Sequence, residues 1–117
     1  MSKQSIDQLA FNIIHARALN PIRSANKNTG FCMYRSDNGT CCFVGSLIKD
    51  EYYNTNLESN TALDVRVQKA VELSLNGNPD PFFLRRAQHI HDTIKPENWL
   101  KELEKLAKEY SLTVPTI

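Results

Sequence analysis

The apolar positions at the start of the chain recur in steps of three and four residues. They are Ile6, Leu9, Ala10, Ile13 and Ile14. This spacing places the side chains on one face of an α-helix, so the pattern predicts a helix from Ser5 with one buried face. Ser5 and Gln8 have the form of a capping box, and Pro21 ends the helix. Residues 20–30 mix Pro, Asn, Ser, Thr and Gly without a period, which is typical of a surface connection.

Two short apolar and aromatic runs, at 31–35 and 40–44, flank the dipeptide Asn38-Gly39. Both residues of this dipeptide tolerate positive φ, which makes it typical of a tight β-hairpin turn. The pattern therefore predicts a β-hairpin at 31–35 and 40–44. One face of the hairpin should pack on helices, because an isolated hairpin is marginal in water. A short helical turn is expected next, at 47–53.

Three further helices are predicted in the second half of the chain, at about 61–75, 81–94 and 97–110. Asp80-Pro81 supplies an N-cap followed by proline at the first helical position. The chain has 117 residues, near the commonest size for one domain with one core. The predicted fold class is therefore α+β and mainly helical, with a single domain over residues 1–117.

The charges of the chain nearly cancel. Fourteen Lys and Arg against thirteen Asp and Glu leave a net charge of +1, so no overall field attracts nucleic acid or an anionic membrane. The N-terminus leads into an amphipathic pattern, and no run of about 18 apolar residues occurs. We therefore expect a cytoplasmic protein without a membrane span. An odd number of cysteines, three, then favours reduced thiols.

The cysteines and histidines offer enough ligand types for a zinc site. In the predicted hairpin, however, Cys32 and Cys41 are separated by four strand positions, about 14 Å. Cys41 and Cys42 are neighbours in a strand and point to opposite faces. His89 and His91 are therefore left without cysteine partners in a suitable arrangement, and we predict no metal and no cofactor.

The helix predicted at 81–94 carries three catalytic candidates: His89, His91 and Asp92. His91 falls on the same stripe as Leu84 and Ile94, which is typical of a core histidine with a hydrogen-bond partner. Arg85, His89 and Asp92 share a wetter face, where they could bind an anion or move a proton, since imidazole changes charge near neutral pH. A solvated helix face is the simpler interpretation of the same residues.

The hairpin and the segment after it carry candidates for ligand binding. Strand alternation sends one of Tyr34 and Arg35 toward the helices and the other outward. If Tyr34 faces the core, Arg35 is exposed and could clamp a phosphate or carboxylate, or pair with Asp37. Asp50 and Tyr52 belong to an irregular acidic and aromatic segment, a common location for binding residues. The familiar phosphate-loop, dinucleotide, zinc-protease and hydrolase motifs are absent. The ligand-binding candidates are Tyr34, Arg35, Asp50, Tyr52 and Arg85.

Unusual residues recur in a fixed order over 32–53 and 88–99, and these two segments resemble a family of small uncharacterised bacteriophage and prophage proteins. The first segment carries Cys-x-Tyr-Arg at 32–35 and Gly-x-Cys at 39–41. It continues with Gly-x-Leu-Ile-x-Asp-Glu-x-Tyr at 45–53. The second carries the Gln-x-x-His-Asp helix end at 88–92 and a following tryptophan, so the resemblance covers about 31–112. Lys49 stands where such relatives carry proline, and Cys42 is an addition. The resemblance implies a phage context, in which many short accessory proteins act by binding host or rival proteins.

We therefore expect a binding protein, not an enzyme, that takes a host or phage protein as partner, for counter-defence or host takeover. A small anionic ligand is the other partner considered, and neither nucleic acid nor membrane is expected. One alternative is a small enzyme for nucleotides or phosphoesters. That enzyme would move protons with His89 or His91, orient them with Asp92 and hold the anion with Arg35 or Arg85, all in one pocket. The other alternative, a structural or assembly protein, predicts an exposed apolar patch and a stable oligomer.

Overall fold

The computed structural model of the chain describes residues 3–22, 33–35, 40–58 and 63–115. The described residues form four α-helices: α1 (Lys3–Ala18), α2 (Val65–Leu75), α3 (Pro81–Thr93) and α4 (Trp99–Glu109). Four single turns of 3-10 helix lie between them, at Gly45–Leu47, Asp50–Tyr52, Thr55–Leu57 and Pro96–Asn98. The helices occupy the regions that the apolar spacing indicates. Since α1 already begins at Lys3, Ser5 lies inside the helix and the predicted capping box is wrong.

Local caps explain where α2 and α3 begin. The Asp64 side chain accepts a hydrogen bond from the backbone N–H of Arg66 at 2.8 Å, and the Asp80 side chain accepts one from Phe82 at 2.9 Å. Each bond satisfies a donor that the first helical turn leaves without a partner. Pro81 follows Asp80 at the first helical position, as expected from the sequence.

The predicted β-hairpin at 31–35 and 40–44 is wrong. Residues 33–35 and 40–44 form no strand, and no other described residue does, so the part of the chain that the structure describes is helical, not α+β. Residues 31 and 32 and the Asn38-Gly39 turn lie outside the described residues. The short helical turn expected at 47–53 is present as two 3-10 turns, at Gly45–Leu47 and Asp50–Tyr52.

Two features of this region explain why strands do not form. Cys42, Phe43 and Val44 are all at most 1% exposed, whereas successive strand side chains point to opposite faces of a ribbon. The backbone donors also have other partners. The N–H groups of Tyr34 and Arg35 donate to the Glu58 carboxylate, and the N–H of Val44 donates to the Gln88 side chain at 3.0 Å. Side chains from distant parts of the chain thus replace the hairpin ladder.

Helices α3 and α4 pack antiparallel, because residues early in α3 contact residues late in α4. The Phe83 and Tyr110 rings are 5.3 Å apart, and at the other end the His91 ring stacks on Trp99 at 5.1 Å. Phe43 fits edge-on against Trp99 at 4.9 Å and so brings residues 40–44 into the core. Helix α1 packs on α4 and on the Gly45–Leu47 turn. Within the described ranges, no helix combines the length and the apolar character needed to cross a membrane.

Candidate binding groove

An open groove of about 610 Å³ runs between α3 and α4. Its floor is apolar and consists of Ile90, Ile94 and Leu106, all buried or half-buried. Phe82 lies on the first turn of α3 and leaves 59% of its surface exposed. Charged side chains form the remaining lining: Arg85, Arg86, His89, Glu102, Lys105 and Glu109. The groove, called the α3–α4 groove below, therefore combines an apolar floor with charged edges.

The sequence places these side chains in the groove through helical spacing. In α3, lining residues occur at 82, 85–86, 89–90 and 94, and in α4 at 102, 105–106 and 109. Steps of three and four residues keep each set on one side of its helix. Phe82 and Phe83 are adjacent, so their side chains point about 100° apart around the helix. Phe83 is fully buried against α1 and α4, and Phe82 is left outside.

Two ion pairs neutralise most of the charge in the α3–α4 groove. Arg86 donates two hydrogen bonds to the Glu109 carboxylate, one of them at 2.9 Å. This contact raises the pKa of Arg86 and lowers the pKa of Glu109, because each charge stabilises the other. On the facing helix, α4, Lys105 lies 3.0 Å from Glu102, which is three residues earlier in the same helix. Both pairs are solvent-exposed, so they contribute little to folding stability, but they satisfy the charges of four lining residues.

Arg85 and His89 are the basic lining residues that remain. Neither side chain forms an ion pair or hydrogen bond with another residue in the structure as described. They lie one helical turn apart on α3, on the same wall of the groove. The Arg85 guanidinium and the His89 imidazole are therefore both accessible to an anionic group in the α3–α4 groove. Two of the predicted site residues thus lie side by side on an accessible wall of the groove.

His91 and Asp92 belong to a different environment. His91 is fully buried, stacked on Trp99 and edge-on to Phe43 at 5.3 Å. Its Nδ1 is 3.0 Å from Asp92 Oδ1, which also accepts a hydrogen bond from Gln88 at 2.9 Å. Since a carboxylate only accepts, this contact places the proton on Nδ1. Neither His91 nor Asp92 lines the α3–α4 groove. The hydrogen bonds among Gln88, His91 and Asp92 lie within α3, and the His91 ring packs this end of the helix against the core.

Arg35 is also held within the protein. Its guanidinium forms an ion pair with Asp50, donates to the carbonyl of Ile48 at 2.6 Å and lies over the Tyr53 ring at 4.7 Å. None of these partners lines the α3–α4 groove. Arg35 and Asp50, two of the predicted ligand-binding residues, therefore do meet, but they meet each other. The alternative partner Asp37 lies outside the described residues.

Tyr34 and Tyr52, both predicted as ligand-binding residues, pack into the fold at different places. Tyr34 is 5% exposed, and burial raises the pKa of its phenol. Tyr52 is half-buried and packs against the core, and it lines a smaller hollow of about 410 Å³ beside α2. Neither contributes to the α3–α4 groove.

The described cysteines and acidic groups do not gather around a common point. Among residues 3–22, 33–35, 40–58 and 63–115, no three His, Cys, Asp or Glu side chains are arranged to hold a metal ion. Cys42 is buried, accepts a hydrogen bond from the Gly45 N–H at 3.3 Å, and has a raised thiol pKa because of its burial. Cys32 is outside the described residues.

Comparison with protein family models, with curated proteins and with solved structures gives no match to this chain.

Among the ten residues that line the groove, the sequence predicted only Arg85 and His89 as site residues. Phe82, Arg86 and Lys105 all line it, and none was predicted as a site residue. A signal for Phe82 was present, because the apolar repeat of the predicted helix begins at Phe83 and Leu84 and leaves Phe82 off its stripe. For Arg86 and Lys105 the sequence offers no such signal, since exposed basic residues on a helix are common. Only the packing of α3 on α4 shows that they share a groove.

Proposed function

We propose that this chain is a small phage-type accessory protein that acts by binding, and that its α3–α4 groove receives an acidic, partly apolar segment of a host or phage protein. The observation that carries the proposal is the exposed Phe82 beside Arg85 and His89, two basic side chains without partners among the described residues. Aromatic and arginine side chains are the residues that most often dominate the binding energy of protein interfaces.

The charge of the groove favours an acidic occupant. Three fully basic residues line it against two glutamates, a net charge of +1. Because the glutamates are already paired with Arg86 and Lys105, the excess positive charge lies at Arg85, one turn from His89. Complementary charge speeds association and excludes partners of the wrong sign. The apolar floor supplies the area that a partner's apolar side chains can bury.

The distribution of titratable groups supports binding over turnover. An enzyme of the kind considered from the sequence needs a proton carrier, an orienting carboxylate and an anion-holding arginine in one pocket. Arg85 and His89 line the α3–α4 groove, but Asp92 lies outside it and forms hydrogen bonds with Gln88 and His91. Arg35 is paired with Asp50. We therefore keep the enzyme as the weaker alternative.

A peptide-display selection on the intact protein tests the proposal. We expect the enriched peptides to combine acidic and apolar residues. Phe82→Ala and Arg85→Glu should each weaken their binding about tenfold or more, the loss typical of an interface anchor. Val65→Ala is the control for loss of exposed apolar surface, since Val65 is 79% exposed on α2 outside the groove. Lys49→Glu is the control for charge, because Lys49 is exposed and also lies outside the groove.

Two results would contradict the proposal. One is a selection in which no peptide depends on Phe82 and Arg85. The other is a discrete added mass of nucleotide size in native mass spectra of the protein purified from its host, if Arg85→Glu removes that mass. The second result would favour the small anionic ligand. A stable oligomer in the same spectra that Phe82→Ala dissociates would instead favour the assembly alternative.

A further inference from the structure

The walls of the α3–α4 groove are two helices whose lining residues extend over several turns. On α3 they run from Phe82 to Ile94, twelve residues apart, which corresponds to about 18 Å along the helix. The α4 wall runs antiparallel from Glu102 to Glu109, about 10 Å. A cleft between two packed helices is the usual seat of a third helix, since ridges of side chains on one helix fit the grooves of another. The length matches about three turns of an α-helix.

The backbone around the groove favours a helical over an extended occupant. An extended peptide needs a free sheet edge to satisfy its backbone N–H and C=O groups, and the described residues form no strand. The two walls are helices, whose backbone groups are bonded within each helix. An extended segment laid on the apolar floor would therefore leave polar backbone groups without partners, which costs free energy. A helix satisfies its own backbone and offers only side chains to the groove.

The charged residues specify the pattern of that helix. Arg85 and His89 are four residues apart on α3, which spaces them by about 6 Å along the wall. Two acidic residues one turn apart on an occupant helix have the same spacing. The α4 wall carries the Lys105–Glu102 pair. Because the two charges cancel, this wall does not require a particular charge on the occupant. Apolar residues on the adjacent stripe of the occupant would cover Ile90 and Leu106.

We infer that the partner segment is an amphipathic α-helix that lies along the α3–α4 groove as a third helix. Its two acidic residues at positions i and i+4 face Arg85 and His89, and its apolar stripe covers the groove floor and contacts Phe82. This inference rests on the proposed function, because it names the conformation and the residue pattern of the partner segment in the same groove.

Designed fluorescent peptides test the conformation by anisotropy titration against the intact protein. The helical probe carries glutamates at i and i+4 with leucines on the adjacent stripe, in linear and hydrocarbon-stapled forms. The comparison probes have the same composition, one with alternating acidic and apolar residues and one with a central proline. We expect the stapled helical probe to bind about tenfold or more tightly than either comparison probe, because the staple removes the cost of ordering the helix.

A charge exchange tests the register. Replacing both glutamates of the stapled probe by lysine should abolish binding to the native protein, and the double variant Arg85→Glu, His89→Glu should recover binding of that lysine probe. Lys49→Glu, the matched control, should bind neither probe differently from the native protein. Circular dichroism of the variants establishes that α3 still folds.

Each outcome separates this inference from the proposed function. If the alternating or proline probe binds as tightly as the helical probe and still depends on Phe82 and Arg85, the partner segment is not a helix, while the groove remains a binding site. If the charge exchange fails although the helical probe binds through Phe82, the assigned i and i+4 register is wrong. If no probe or selected peptide depends on Phe82 or Arg85, the proposed function fails and this inference fails with it.

Discussion

Replacing Glu58 should destabilise the protein, because its carboxylate holds the backbone of residues 34 and 35 in place. The Glu58 carboxylate accepts hydrogen bonds from the backbone N–H of Tyr34 at 2.9 Å, from that of Arg35 at 3.1 Å and from the Tyr53 hydroxyl at 2.5 Å. Residues 33–35 belong to no helix or strand, so these bonds take the place of a regular backbone ladder. Glu58→Ala removes all three hydrogen bonds at once.

The size of the effect follows from the charge and partial burial of the site. A hydrogen bond to a charged group contributes about 1.5–3 kcal/mol. Glu58 is only half-buried, so water can replace part of what is lost. We therefore expect Glu58→Ala to lower the free energy of unfolding by about 2–4 kcal/mol. For 117 residues a loss of about 3 kcal/mol lowers the melting temperature by about 12 °C. Glu58→Gln keeps one acceptor oxygen and should lose about half as much.

Urea unfolding followed by tryptophan fluorescence measures this loss, since the single Trp99 is buried in the core. Glu51→Ala is the matched control, because Glu51 is exposed in the neighbouring Asp50–Tyr52 turn and should change stability by no more than about 0.5 kcal/mol. A loss for Glu58→Ala below about 1 kcal/mol, or no greater than that of Glu51→Ala, would show that Glu58 does not hold residues 34 and 35.

Two further predictions concern the same region. A methyl group on Gly45 would overlap the carbonyl of Tyr34 and lie 2.9 Å from its carbonyl carbon, so Gly45→Ala should cost about 3 kcal/mol or more in urea unfolding. Gly77→Ala should cost clearly less because its new methyl meets only a flexible side chain, and equal losses would refute the steric argument. Burial and the hydrogen bond to Glu58 raise the pKa of Tyr53 to about 12. The folded state therefore holds this proton more tightly than the unfolded state, and the resulting stability is present below about pH 10 and lost as the pH rises through about 12. The stability difference between the native protein and Tyr53→Phe should shrink between those pH values, and a constant difference would contradict the assignment.

The helices were predictable because their signals are local. Asp80-Pro81 caps α3 within two residues of its start, and the apolar repeat on each helix identifies the face that packs inward. The burial of His91 was also predictable from a local signal. Its place on the apolar stripe predicts a core histidine, and the side chain is fully buried. Each of these features depends on residues within one or two turns, so no knowledge of the tertiary structure is needed.

The hairpin was not predictable because its alternative depends on distant residues. Asn38-Gly39 and its flanking apolar runs are a sound local signal for a turn, but strand pairing requires free backbone donors. Glu58 lies 24 residues from Tyr34, and Gln88 lies 44 residues from Val44. Their side chains accept the hydrogen bonds of the Tyr34 and Val44 backbone N–H groups, which strand pairing would need. The sequence order contains no trace of either contact.

The sequence by itself determined the four helical regions, their buried faces and the near-neutral charge of the chain, since each follows from composition or from short-range periodicity. Only the tertiary structure decided which charges remain free. Packing α3 against α4 pairs Arg86 with Glu109 across the groove and leaves Arg85 and His89 beside the exposed Phe82. The physical reason is that an ion pair or a groove between helices depends on how the helices pack, and residues far apart in the chain determine that packing.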